Sequence, residues 1–190
     1  MKKFIAMNKT QKILTLTAAV LIIVALVGSL TWAVLKNKTS AIKNTFSAAG
    51  SSAEIVEEFE DNVKKNVNIK NTGDIYGYVR IELISYRVND NGDRIGGTAE
   101  IPAFTMGEGW LDAGDGLYIY SKPVAPGSKP EKDLIGSTGI TLKEYTDVDG
   151  GKQVIDVIGE IIQSNPHDAV EGEWGVTADK DGILSLKEDD

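Results

Sequence analysis

None of the 190 residues is cysteine, and only one is histidine. Without cysteine there is no disulfide framework, no thiolate nucleophile and no sulfur ligand for a metal. A zinc hydrolase needs about three protein ligands and a base, usually two histidines one helical turn apart, and His167 alone cannot supply them. A serine triad would have to use that same residue, which sits in a polar stretch after Pro166 with no nucleophile-elbow glycine pattern nearby. Acids are absent before Ala33: all 28 follow it, against 16 basic residues, so the part after Ala33 carries a net charge of −12. Such a surface repels nucleic acid and anionic lipid headgroups, and it keeps the chain soluble at high local concentration.

The one long apolar run is ILTLTAAVLIIVALV, residues 13 to 27, followed by GSLTWA. Lys2, Lys3, Lys9 and Lys12 precede it. A basic n-region, an apolar h-region and small residues at a cleavage site make an export signal. Thr31 and Ala33 supply the small side chains at the cut, which makes Val34 the first mature residue. The uncharged stretch from Ile13 to Leu35 is also long enough to span about 30 Å of hydrocarbon if it stays attached. Gly28 and Ser29 interrupt it and favour cleavage. The expected organisation is a signal peptide (helical, cleaved) at 1–33, an N-terminal strand and linker at 34–52, and one β-domain at 53–190. A chain of this size can bury one real core.

Turn signals punctuate the mature part: NTGD at 71–74, NDNGD at 89–93, DAGDG at 112–116, APG at 125–127, DVDGG at 147–151 and DKDG at 179–182. Between them lie segments rich in Val, Ile and Tyr, the spacing of an antiparallel β-sandwich or barrel. From Ile75 to Val88 the pattern alternates, with Ile75, Val79, Ile81 and Leu83 opposite Tyr76, Tyr78, Arg80 and Glu82. At Ile84 the phase inverts, so that Ile84, Tyr86 and Val88 fall in step with the polar face. That predicts a bulge or a strand crossing between sheets, unless it is imprecision in one long strand. Leu117 to Lys122 reads as an aromatic strand. Residues 153 to 163 fit a helix stripe or a strand, and their β-branched content favours strand. HDAVEGEW, after Pro166, suits a short helix that docks Trp174.

Ala41 to Gly50 (AIKNTFSAAG) also alternates, with Ile42, Phe46 and Ala48 opposite Lys43, Thr45 and Ser47. This is a short, half-apolar strand at a free chain end, beside the flexible AAGSSA stretch. It can pair within its own domain or add to a neighbour's sheet edge, and the pattern alone favours pairing within its own domain.

Thr31-Trp32-Ala33 followed by Thr45-Phe46-Ser47-Ala48-Ala49-Gly50 resembles the start of exported proteins cut by the signal peptidase SipW. That family includes TasA, camelysin and the clostridial BsaA-type matrix proteins. VNIKNTGDIYGYVRIEL (67–83), DGLYIYSKPVAPGSKPEKDLI (115–135) and IIQSNPHDAVEGEWGV (161–176) look like the BsaA branch. The resemblance implies an all-β, jelly-roll-like β-sandwich with one or two short helices, secreted by a Gram-positive bacterium into its extracellular matrix or onto its surface. It implies polymerisation of copies of the chain, head to tail, by donor-strand complementation. Ile42, Asn44, Thr45, Phe46 and Ala48 would form the donor strand, and the partners would be the chain itself and a SipW-type peptidase. Membrane contact is expected only through an uncleaved signal segment. Two places depart from the family pattern: Val34-Leu35-Lys36-Asn37 replaces an aromatic and an acid, and Ser51-Ser52-Ala53-Glu54 replaces G-T-L-D-L.

Other readings have weaker support. A camelysin-like protease lacks the residues for either hydrolytic chemistry above, so no enzyme activity and no cofactor are expected. Structural calcium at the Asp/Gly turns lacks EF-hand spacing. An intramolecular isopeptide has many candidate pairs, Lys70 and Asn71 among them. Trp110, Trp174 and the tyrosines at 76, 78, 118 and 120 could form a sugar-binding face, but aromatics at strand spacing more often pack a core.

Overall fold

The computed structural model describes residues 51–187 and the backbone of Thr45 and Phe46. In chain order the elements are β1 (Thr45–Phe46), β2 (Ala53–Glu60), β3 (Val63–Asn71), β4 (Gly77–Val88), β5 (Arg94–Ile95) and β6 (Trp110–Asp112). There follow β7 (Leu117–Tyr120), β8 (Ile140–Thr141), β9 (Lys152–Gln163), the helix α1 (Asp168–Trp174), β10 (Val176–Ala178) and β11 (Leu184–Leu186). The domain is all-β and almost wholly antiparallel. One sheet runs β1-β9-β4-β7-β6, with β5 on β4; a second runs β2-β3-β8; β10 and β11 form a hairpin.

The axis of the larger sheet is the pairing of β4 with β9, twelve consecutive residue pairs from Gly77↔Gln163 to Val88↔Lys152. The register never shifts, so of the two readings of the phase change at Ile84 the single long strand holds and the bulge does not, and 153–163 is strand. Parity alone then decides which side chains face the second sheet. Val79, Ile81 and Leu83 point inward with Ile155 and Ile161, and they meet Ala53, Val67, Ile69, Leu134, Ile135 and Ile140 in one core. Full burial of an isoleucine such as Ile81 or Ile69 contributes about 1.5–3 kcal/mol.

Beyond Leu83 the inward positions turn polar. Ser85, Arg87 and Gln153 occupy them, and Arg87 is 3% exposed. Each finds partners. Gln153 Nε2 donates to Ser85 Oγ and to the Glu100 carbonyl, both at 2.8 Å. The Arg87 guanidinium donates to the Thr98 carbonyl at 2.8 Å and to Asp147 Oδ1 at 2.7 Å, and stacks 3.5 Å from the Tyr145 ring centroid. A buried cation is tolerated only when its donors are filled, and these loops fill them. The apolar residues left over, Ile84, Tyr86 and Val88, therefore face outward on an unbroken strand.

On the outer side of the same sheet, Tyr78 and Ile119 lie under a C-terminal cap made by Val170 of α1 with Val176 and Leu184 of the hairpin. Burial pushes the Tyr78 phenol up, and its hydroxyl donates to the Gly182 carbonyl at 2.8 Å. Arg80 and Glu160, paired across the ladder, form a 2.5 Å ion pair, and the guanidinium lies 4.8 Å from the Trp174 ring centroid. The helix ends at Gly175, whose φ of 63° is the left-handed C-terminal conformation glycine adopts freely. Trp174 is thus docked by a short helix, as expected from HDAVEGEW.

Two buried asparagines tie loops to β3. Asn68 Nδ2 donates to Asp133 Oδ1 at 2.6 Å and to the Pro130 carbonyl at 3.1 Å. Asn71 Nδ2 donates to the carbonyls of Ile75 and Val124. Asn71 and the exposed Lys70 are neighbours on one strand and point to opposite faces, so they cannot be joined to each other.

The Arg87 hydrogen bond, aided by the Gly150 N–H and opposed by desolvation, holds the Asp147 carboxyl below its ordinary value. Its contribution to stability is complete above about pH 4, the unfolded value, and is lost as pH falls through the lower folded value. Urea unfolding midpoints should therefore drop on acidification below pH ~4 more steeply for the wild type than for Asp147→Asn, which starts lower at neutral pH. Equal slopes would remove the pair from the stability of this end of the sheet.

Candidate functional site

The N-terminal strand and the edge it meets form the candidate site. β1 lies along the outer edge of β9, parallel to it, with Thr45 opposite Gly159 and Phe46 opposite Glu160. Among the described residues two pairs make this contact. Every other strand pairing among the described residues is antiparallel. Of the residues expected to carry the donor strand, Thr45 and Phe46 are therefore placed, by backbone, on a sheet edge of their own domain. Ile42, Asn44 and Ala48, and the cleavage residues Thr31, Ala33 and Val34, lie outside the described residues. So does the apolar run; among the described residues no helix is long and apolar enough to cross a membrane.

Among the described residues, much of the β9 edge carries no other strand. At its start, Gln153 N–H donates to the Lys143 carbonyl and Lys152 bridges Glu144, so that end is closed by the preceding loop. From Val154 to Ile158 no described strand pairs with it. Along the opposite edge β9 is bonded to β4 over all twelve pairs. Among the described residues one edge is fixed along its length and the other carries only β1, and an edge of that kind can accept an added strand.

Gly159, beside Thr45 of β1, is packed tightly against the second sheet. A Cβ built there would lie 2.5 Å from Ile55 Cδ1 and 2.7 Å from Ile69 Cδ1, so a side chain at this position requires those isoleucines to move. The sequence reading missed Gly159 and Glu160 as docking positions. The available signal was a glycine inside a β-branched run, which marks a close backbone approach.

His167 places Nδ1 3.1 Å from the Tyr78 hydroxyl. Asp179 Oδ1 accepts from the N–H groups of Asp181 and Ile183, which lowers its pKa, and Asp112 Oδ1 accepts from Gly114 N–H. These carboxylates close turns. Among the described residues no group of three or more His, Cys, Asp or Glu gathers at one point. Trp110 is buried with its indole N–H on the Lys132 carbonyl, and Tyr118 and Tyr120 lie in the core. An open cleft of about 690 Å³ runs between segments 103–107 and 131–139, floored by Phe104, Met106 and Ile135.

No protein-family model, no curated protein and no solved structure matches this chain.

Overpacking at a sheet contact of this kind costs about 1–3 kcal/mol, so Gly159→Val should lower the unfolding midpoint accordingly. Ile55→Ala in the same chain should recover part of that loss, measured as a coupling energy in a double-mutant cycle. Strict additivity of the two changes would show that Gly159 does not set the spacing between the sheets.

Proposed function

We propose that this chain is a secreted structural subunit of an extracellular, biofilm-type fibre, built by passing the N-terminal strand of one copy to the next. The observation that carries the reading is the short parallel seat of β1 on the open edge of β9. With a net contribution of about 1 kcal/mol per backbone hydrogen bond, a two-pair contact is easily exchanged. A copy whose Thr45 and Phe46 leave its own β9 exposes an edge that the segment Ile42 to Ala48 of a neighbour would fit. Contacts that pass from copy to copy without closing produce an open filament.

The rest of the sequence is consistent with that role. The basic and apolar leader ending in Thr31-Trp32-Ala33 would deliver the domain outside the cell, and cutting before Val34 would free the strand from the membrane. The −12 surface keeps unassembled copies apart, and a domain with no cysteine needs no oxidative folding. The resemblance to the TasA, camelysin and BsaA-type proteins points the same way, toward a jelly-roll subunit with no catalytic centre.

Protein beginning at Val34 should form filaments visible by electron microscopy. Removal of residues 34–50 should leave monomers, and Phe46→Asp, which keeps the chain length and the domain, should reduce filament mass by about tenfold or more. Filaments that persist in both variants would sink the donor-strand reading.

A further inference from the structure

One carboxylate oxygen beside the second sheet is shared between an amide and an amine. Asn68, on β3, is 0% exposed. Its Oδ1 accepts from the Ile69 N–H at 2.7 Å, and its Nδ2 donates to the Pro130 carbonyl and, at 2.6 Å, to Asp133 Oδ1. That same Asp133 oxygen accepts from the Lys129 ammonium at 3.2 Å. Lys129 and Pro130 are neighbours in the chain, so the loop that delivers the amine also touches the amide through its backbone.

Among the described residues the arrangement occurs once. Asn71, the other fully buried asparagine, gives its amide to two backbone carbonyls. Lys64, the one buried lysine, pairs with Glu57, and no asparagine or glutamine side chain shares that acid. The ion pairs of Lys65, Lys152 and Lys180 also lack an amide partner.

We propose that this cluster is a self-crosslinking site, at which Lys129 Nζ and Asn68 Cγ join in an isopeptide bond with loss of ammonia. Asp133 takes a proton from the ammonium, which frees a nitrogen lone pair to attack Asn68 Cγ. The new C–N bond forms and the carbonyl electrons move onto Oδ1. The Ile69 N–H already bonded there stabilises the developing charge, as a fixed backbone donor does in an oxyanion hole. Asp133 then passes its proton to Nδ2 and takes a second one from the attacking nitrogen. The C=O re-forms, the Cγ–Nδ2 bond breaks, and ammonia leaves with the remaining proton as ammonium. Nothing is oxidised or reduced, and no co-reactant is consumed. Holding amine, amide and base in one cluster replaces an external catalyst. The Lys129 side chain is 48% exposed, so the released ammonia has a path to water.

The bond ties β3 to the loop after β7 and encloses β4 through β7. A disulfide over such a span restrains the unfolded chain in the same way, and this chain has no cysteine with which to make one. The fibre reading is not needed for this chemistry, and a fibre can form without it.

Mass spectrometry of the full chain, purified in mild detergent and then denatured, tests the bond. The mass should be lower than the sequence requires by one ammonia. Protease digestion should yield a branched peptide in which the segment from Asn66 to Lys70 is joined to Lys129. Lys129→Arg keeps a cation beside Asp133 at a half-exposed position, and it should restore the full mass and abolish the branch. Asp133→Asn, which leaves both reacting groups in place, should be linked in about a tenth of the molecules or fewer. An unlinked wild type after prolonged incubation at neutral pH overturns the proposal. So does an ammonia-lighter mass that persists in Lys129→Arg, which would mark ring closure at Asn91-Gly92 instead. Full linking in Asp133→Asn overturns it as well, since no relay would then join the two groups.

Discussion

The ladder between β4 and β9 is the constraint on which the rest of the domain depends. Twelve pairs without a slip mean that side-chain parity, once set at Val79, is binding as far as Val88. A slip of one residue would exchange the two faces completely. The inner face is apolar for its first half, and the second sheet covers it. In its second half it presents Ser85, Arg87 and Gln153, and the loops at 98–100 and 143–150 are shaped to meet them. Those loops have almost no regular structure, yet they are specified closely, because each hydrogen bond they offer replaces one the buried groups lost with water.

The same strand pair explains why the open edge matters. The β4 side of β9 is held by the full ladder, and its inward side chains are locked in the core. Among the described residues the β1 side is held at two positions, and local stability follows the number of contacts an element has to give up. Gly159, beside Thr45, is where Ile55 and Ile69 of the second sheet approach β9 from within.

The alternation from Val79 to Leu83, the aromatic strand at Leu117 to Tyr120, the β-branched content of 153–163 and the helix that docks Trp174 were all legible from residue pattern. The turns were legible because Asp and Gly do specific work in them, which also explains why calcium was a weak reading of the same residues. The bulge reading at Ile84 failed for an instructive reason. Apolar residues were assumed to face inward, whereas a satisfied Arg87 and Gln153 hold the inner positions and send Ile84, Tyr86 and Val88 out. Asp147 is 60 residues from Arg87, and Ser85 is 68 from Gln153, separations that no local window spans. The docking of Thr45 and Phe46 was half legible: alternation showed a strand but not which edge it would join or in which direction.

Strand exchange at β9, as proposed, would extend the sheet in its own plane, because β9 offers a newcomer an edge and not a face. Such an edge gives backbone hydrogen bonds, which suit any strand of compatible shape and draw specificity from the side chains beside them. With the part after Ala33 at −12, two copies repel one another over most of their surfaces, so a contact between them has to be carried by directed bonds and not by general stickiness.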